Sequence, residues 1–509
     1  MDRSFRHVIF VLLGCFTLLF VQLNRVQIFE AAALQDNGSN TRTIQREFDQ
    51  LRGEIRTRDG VVVASSEPAG PDSPFQFQRL YPEGELYAHS VGYVSFTVGA
   101  EGVERTYNAE ILGDTPSQQL SDLTSLLDED ARSGSITLTL DHDLQRVAQE
   151  ALGERVGSVV AMDPRTGAVL ALWSYPSFDP NLVAANNSTE ANAARAELLE
   201  APGNPLRARS YRDTAFPGST FKVITAAAAL ETPDRGITAT EPVFETTTEY
   251  LHPLTTRPIT NFGGRPCGGN LTDLLVQSCN TSFALIAAEI LGPAVMVNQA
   301  EAAGFNSVPP FDLPGGVASV FPAAETFGAR VAAPTPEVPA GVFENSPLLA
   351  QAAIGQFDVQ ATPLQMALMI AGVANDGIIP TPHILAEVAD ANGRVVRRNE
   401  PDPWRMSMRE DNARSLQQAL ITAAQEGGGN TAAVPGLVVG VKTGTAQHGT
   451  DPPLSNAWIV GFAGLPDEDI ELAVAVLVED LPDPGDQTGG RIAGPIARQL
   501  FEEYFSGRI

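Results

Sequence analysis

Apolar residues fall along this chain in three kinds of run. The first is continuous: residues 7–24 contain no Asp, Glu, Lys or Arg, and residues 8–23 are almost wholly apolar. A helix of that length covers roughly 27 Å, enough to cross a bilayer core. The second kind alternates with period two, as strands require. Residues 51–64 read as a hairpin around Asp59-Gly60, residues 136–141 as a strand, and residues 157–172 as a hairpin around Asp163-Pro164 and Thr166-Gly167. Further strands are predicted at 437–441, 456–464 and 471–479. The third kind has helical spacing: residues 143–152, the Ala-rich run after Pro217-Gly218, a helix running from Leu271 through Ser278-Cys279-Asn280, one beginning over Ile354-Gly355-Gln356 and residues 361–367, and one near 493–504. Residues 291–347 are rich in Pro, Ala and Gly with weak periodicity, which predicts a loop-rich insertion. The acidic, Ser-rich residues 114–135 read as a linker.

The apolar N-terminus divides the chain. Arg3 and Arg6 precede it, which places the N-terminus in the cytoplasm and the remainder outside, although Arg25 blurs the asymmetry. A cleaved signal peptide ending at Ala31-Ala32-Ala33 is the second reading, set back by the polar Gln22, Asn24, Arg25, Gln27 and Glu30. A lipoprotein signal at Cys15 is a third, weakened by the apolar run continuing past it. The expected domains are residues 1–30, a cytoplasmic tip and membrane anchor; 31–150, a non-catalytic pedestal or dimerisation module; and 151–509, the catalytic domain.

Composition removes several functions. A net charge of −28 over 509 residues argues against nucleic acid, which needs a basic footprint, and fits a well-solvated surface. Cys15, Cys267 and Cys279 have no metal-ligand spacing and no Cys-x-x-Cys motif, and the six histidines form no His-Glu-x-x-His pattern. No metal or cofactor is expected. His448, close after residues 442–444, reads as an ordinary surface histidine. Cys267 and Cys279 are near enough in sequence to bridge outside the cell, with two free thiols the equal alternative.

The candidate chemistry begins at Pro217-Gly218-Ser219-Thr220-Phe221-Lys222, a loop entering a helix. Ser219 sits near the helix N-terminus with Lys222 one turn on, so a hydroxyl faces an amine. A desolvated lysine with a depressed pKa takes a serine's proton, and the helix terminus supplies partial positive charge. Of the 33 basic residues only Lys222 and Lys442 are lysine. Arginine cannot be deprotonated in a protein, so the two exceptions mark places where arginine would fail. Lys442 opens Lys442-Thr443-Gly444-Thr445, and Ser278-Cys279-Asn280 lies between.

Ser-x-x-Lys, Ser-x-Asn and Lys-Thr-Gly, in this order on one chain, resemble the penicillin-binding proteins and serine β-lactamases. Residues 51–64 look like the Arg-Gly-x-Ile signature that opens the N-terminal module of class B penicillin-binding proteins, and residues 99–107 with Leu112-Gly113 resemble a second signature of that module. The compact module and Asn40…Arg52-Gly53-Glu54-Ile55 look most like the actinobacterial PbpA type. The resemblance implies an α/β (α+β) transpeptidase fold, an antiparallel sheet flanked by helices with a helical subdomain, plus an elongated N-terminal module and one transmembrane helix.

It also implies roles. Ser219 is then the acylated nucleophile, Lys222 the proton acceptor, Ser278 a relay toward the leaving amine, and Asn280 a partner of the substrate's amide. Lys442 supplies charge for the substrate carboxylate and keeps Lys222 neutral, while Thr443 and Thr445 offer hydroxyls to that carboxylate. Gly444 leaves room for an extended peptide to pair with the strand, and the N–H groups of Ser219 and Thr445 form the oxyanion hole. The implied enzyme is a single-pass membrane D,D-transpeptidase acting on peptidoglycan stem peptides ending in D-Ala-D-Ala. It would bind β-lactams covalently and work with a separate glycosyltransferase and other cell-wall proteins. A D,D-carboxypeptidase, a β-lactamase, and a scaffold or β-lactam sensor remain as alternatives; no convincing deacylating Glu supports the β-lactamase.

Overall fold

The computed structural model describes residues 3–25, 41–121, 133–449, 453–482 and 485–509. Ala31-Ala32-Ala33 and half of the acidic stretch, residues 122–132, lie outside the described residues. The first segment is helical over Arg3–Asn24, with Leu12, Leu13, Phe16, Leu18, Leu19 and Phe20 exposed. Among the described residues no single helix is long and apolar enough to cross a membrane.

The catalytic half is organised around one antiparallel sheet. Its strands are β1 (Gly157–Met162), β2 (Val169–Tyr175), β3 (Val438–His448), β4 (Leu454–Gly464) and β5 (Ile470–Leu481), ordered β3-β4-β5-β1-β2. All four pairings are antiparallel. Sequence-distant strands therefore complete a single sheet, covered by helices from residues 176–437 together with His142–Leu152 and Gly494–Tyr504. Period two alone does not show this: β4 is buried along nearly its whole length, on both faces, so it reads as a continuous apolar run.

Helices cover the sheet. The ones that matter for the site are α1 (Lys222–Leu230), α2 (Leu271–Gln277), α3 (Asn280–Leu285), α4 (Pro363–Ala374) and α5 (Glu410–Glu426). Every residue of α1 and of α4 is buried, and apart from Lys222, Thr225 and Gln365 each helix is apolar on all sides. Thr362 caps α4 by accepting from Gln365 N–H at 3.0 Å, and Pro363 occupies its first position.

One expectation is refined here and one corrected: residues 291–347 are loop-rich as expected, yet they open on a helix and take part in the core. Residues 291–347 begin with a helix, Pro293–Ala302, and bury Phe305, Phe321 and Phe327 completely. Phe221, two residues after the candidate nucleophile, stacks on Phe321 at 5.3 Å and meets Phe305 edge-on at 5.4 Å. This segment supports the nucleophile turn from within the core, where widely spaced aromatic residues give no helical or strand period. The helix expected to run through Ser278-Cys279-Asn280 instead stops at Gln277, since Ser278 adopts a left-handed conformation with φ of 58°.

The N-terminal part forms a second, six-stranded sheet. Its order is Val395–Arg398, Leu385–Ala389, Ser135–Leu138, Ile55–Arg56, Val62–Pro68 and Phe77–Leu80, so two strands come from the C-terminal half of the chain. The predicted Asp59-Gly60 hairpin is present, pairing Ile55 with Ala64. A buried ion cluster holds this part together: Glu104, fully buried, meets Arg52 and Arg79 each at 2.6 Å.

Candidate active site

Three separate backbone features place the cluster. Gly218 takes a positive φ of 54° at the start of a tight turn, Gly218–Phe221, that leads into α1. Its N–H donates to Gly355 O at 3.0 Å, and a Cβ on Gly218 would lie 3.0 Å from Thr445 O, so only glycine fits this approach to β3. Ser278 sits in its left-handed link between α2 and α3. Non-glycine residues adopt that region at a cost, and such outliers collect at functional sites.

The third feature is β3, which carries the Lys-Thr-Gly run on an edge of the sheet. A Cβ on Gly444 would lie 2.7 Å from Pro217 O and 3.0 Å from Thr220 Cγ2. The missing side chain of Gly444 therefore admits the nucleophile turn itself, which revises the expectation that it leaves room for a peptide.

Lys222 is fully buried and Lys442 is 2 % exposed. Lys222 Nζ lies 3.0 Å from Ser219 Oγ, 2.7 Å from Ser278 O, 2.6 Å from Asn280 Oδ1 and 3.3 Å from Ser278 Oγ. Lys442 Nζ donates to Ser278 Oγ at 2.9 Å and to Thr443 O at 3.0 Å. Among the described residues neither lysine is within ion-pair distance of a carboxylate. Burial, and then the neighbouring positive charge of Lys442, push the Lys222 amine well below the ordinary lysine value. Burial brings Lys442 down to about 7.

The acceptor set decides what Lys222 can do. Ser278 O and Asn280 Oδ1 only accept, so they engage both N–H bonds of a neutral amine. Its lone pair is then left facing the Ser219 hydroxyl. The amine is thus oriented to take a proton from Ser219. Lys442 holds Ser278 Oγ from the other side, making a continuous path Ser219–Lys222–Ser278–Lys442.

The remaining candidates are placed less simply. Asn280 donates through Nδ2 to Thr260 O at 2.8 Å, so its amide is held internally on both ends. Thr445 Oγ1 accepts from Gly489 N–H at 3.2 Å, which leaves its own proton free to donate. Thr443 and Thr445 are half-buried beside it on β3. His448 sits at the far end of β3, 3.0 Å from Asn456 Oδ1 and 3.4 Å from Asp480, outside the lysine cluster.

One support was missed in the sequence, and a second had been left open there. Asn261 Oδ1 accepts from the N–H groups of Asn280 and Thr281 at 2.9 and 3.1 Å, and its Nδ2 donates to Thr247 O and Arg265 O. It thereby fixes the start of α3, 19 residues away in the chain, where no local pattern reveals it. Cys267 and Cys279 form a disulfide with Cα atoms 5.7 Å apart, tying the residue between Ser278 and Asn280 to the strand Cys267–Gly269. The spacing allowed this pairing without choosing it over free thiols.

Comparison with known proteins agrees with this geometry. Residues 157–502 match the penicillin binding protein transpeptidase domain, and residues 52–136 match the penicillin binding protein A dimerisation domain. The chain is 33% identical to the peptidoglycan D,D-transpeptidase PbpA of Mycolicibacterium smegmatis over 98% of each chain. Identity to the protein of the same name from Mycobacterium tuberculosis is also 33%, over 100% of each. The ceftriaxone acyl-enzyme complex of M. tuberculosis penicillin-binding protein A superposes with a TM-score of 0.77 at 31% identity, covering 90% of this chain and 99% of that one.

Proposed function

The chain belongs to the class B penicillin-binding proteins, and on that premise we propose how its buried lysines serve a peptidoglycan D,D-transpeptidase. It is a serine acyl-transfer enzyme that cross-links stem peptides and binds β-lactams. Ser219 Oγ attacks the carbonyl of the D-Ala-D-Ala bond as its proton passes to Lys222 Nζ. The N–H groups of Ser219 and Thr445 receive the developing oxyanion. Lys222 then returns the proton through Ser278 Oγ to the amine of the departing D-Ala. An amine from a neighbouring stem peptide attacks the acyl-enzyme, and the same proton path runs in reverse.

Lys442 supplies the charge that holds the substrate's terminal carboxylate, joined by the hydroxyls of Thr443 and Thr445. The observation that carries this reading is the placement of Lys222: its Nζ lies 2.7 Å from Ser278 O and 2.6 Å from Asn280 Oδ1, both pure acceptors, and 3.0 Å from Ser219 Oγ. The sequence of residues 7–24, free of Asp, Glu, Lys and Arg, supports reading this segment as a membrane anchor with the catalytic part outside the cytoplasm. The N-terminal part serves as a pedestal. A separate glycosyltransferase and further cell-wall proteins are the expected partners.

The detergent-solubilised full chain, given a stem peptide ending in D-Ala-D-Ala and an amine acceptor, is expected to release D-Ala and form the acceptor amide by mass spectrometry. Hydrolysed peptide alone, with acceptor present, would overturn cross-linking in favour of a carboxypeptidase.

A further inference from the structure

Asn280 is gripped by two adjacent residues of a distant segment. Its Oδ1 accepts from Lys222 Nζ at 2.6 Å while its Nδ2 donates to Thr260 O at 2.8 Å, so the amide sits only one way round. Asn261, the residue after Thr260, holds the main chain at the same place. Its Oδ1 accepts from the N–H groups of Asn280 and Thr281 at 2.9 and 3.1 Å. Thr260 and Asn261 together thus fix one residue by its side chain and by its backbone.

The grip stands on a firm base. Asn261 is 6 % exposed, and every hydrogen-bonding capacity of its carboxamide is used. The two bonds from Nδ2 go to Thr247 O at 2.9 Å and Arg265 O at 3.1 Å. Thr247 ends the strand Phe244–Thr247, which pairs with Cys267–Gly269; Thr260 ends Ile259–Thr260, which pairs with Glu249–Tyr250. Asn261 therefore sits at the corner of two hairpins, and the disulfide ties the same base to Cys279.

The grip also brings no charge. Asp caps a helix start as well as Asn does, and the positive end of a helix favours it, yet position 261 carries the neutral residue. Burial, and then Lys442 on β3, act on the Lys222 amine. Of the carboxylates on elements packed against α1, Asp273 accepts from Asn270 N–H at 3.0 Å and Glu289 from the Tyr250 hydroxyl at 2.8 Å. Asp234, Glu301, Glu410, Asp411 and Glu426 are exposed. A carboxylate at 261 would set a negative charge against the residue that holds Lys222.

We propose that Asn261 is a positioning residue for acyl transfer, a neutral clamp that keeps Asn280 Oδ1 on Lys222 Nζ and so holds the amine toward Ser219 Oγ. It acts through Asn280 rather than on the reacting atoms. The inference rests on the reading of Lys222 as the base.

The test follows acylation of the detergent-solubilised full chain by nitrocefin, as rate against concentration, with melting temperatures to show that each variant is folded. Asn261→Ala is expected to lower the limiting rate by roughly tenfold to a hundredfold and to leave the half-saturating concentration unchanged. The same substitution in an Asn280→Ala protein should slow it no further, since the clamp then has nothing to hold. Asn261→Asp, which keeps the accepting oxygen, serves where Asn261→Ala does not fold. Its charge favours the Lys222 cation and should move the acid limb of the acylation rate to higher pH. A change confined to the half-saturating concentration, full additivity with Asn280→Ala, or an unshifted limb in Asn261→Asp would each overturn the clamp. A wild type that nitrocefin does not acylate would overturn the reading beneath it, whereas wild-type acylation with Asn261→Ala unaffected overturns the clamp alone.

Discussion

Two buried polar clusters in this chain are built on opposite rules. In the N-terminal part, Glu104 is enclosed by Arg52 and Arg79, with Tyr81 Oη donating at 3.3 Å and Arg52 reaching on to Asn108 at 2.7 Å. Burial pushes the Glu104 carboxyl up, but the two guanidinium groups outweigh it and leave the group below its ordinary value. In the cleft, two lysines are equally buried, face neutral oxygen acceptors, and drop in pKa. Compensated burial keeps its charge, and uncompensated burial favours the neutral amine. The choice of residue follows: arginine, which stays charged, serves the first cluster, and lysine, which can lose its proton, serves the second.

The largest expected break is Lys222→Arg. It keeps the charge and removes the base, so acylation by benzylpenicillin should fall by roughly 10²–10⁴, read by intact mass against time. If Arg at 222 acylates as fast as Lys, deprotonation of this side chain is not part of the reaction.

Next is Glu104→Gln, which leaves two buried guanidinium groups without a counter-charge. A loss of about 3–5 kcal/mol in denaturant unfolding is expected, while protein that remains folded acylates normally. Because the folded pKa of Glu104 lies below the unfolded value, its contribution is full above the unfolded carboxylate pKa and disappears as pH falls through the folded one.

The lysines contribute with the other sign. Their folded pKa values lie below the unfolded value, so the folded protein binds fewer protons. The resulting penalty is full below the folded pKa and is relieved as pH rises to the unfolded one. Lys442→Met should therefore raise stability at pH 7 by on the order of 1 kcal/mol, lost hydrogen bonds offsetting part of the gain, while impairing acylation. A destabilised Lys442→Met protein would place Lys442 with Arg52 and Arg79 as a structural cation.

What could be read in the sequence follows the same division. The reactive residues stood out because lysine occurs only at 222 and 442, and the strand carrying Lys442 and the turn carrying Ser219 obey local patterns. The Glu104 cluster did not stand out, since its members are ordinary residues scattered from Arg52 to Glu104, on a loop, a strand and a helix, and joined only by tertiary packing. Asn261 was hidden for the same reason. The stop at Ser278 could not be read either: its left-handed backbone is held by Lys222 on its carbonyl, Lys442 on its hydroxyl and the disulfide at Cys279, all tertiary contacts. The strand order, with distant segments pairing as β5 and β1, lies beyond any local period.

The central claim is that the uncompensated burial of Lys222 and Lys442 sets their protonation for acyl transfer. The most direct measurement is the second-order rate of Ser219 acylation by benzylpenicillin across pH. A bell is predicted, rising on the acid side as Lys222 deprotonates well below 10.5 and falling above about 7 as Lys442 loses its charge, with Lys442→Arg moving the falling limb to higher pH. A rate that climbs to the ordinary lysine value near 10.5 before it levels would contradict the account.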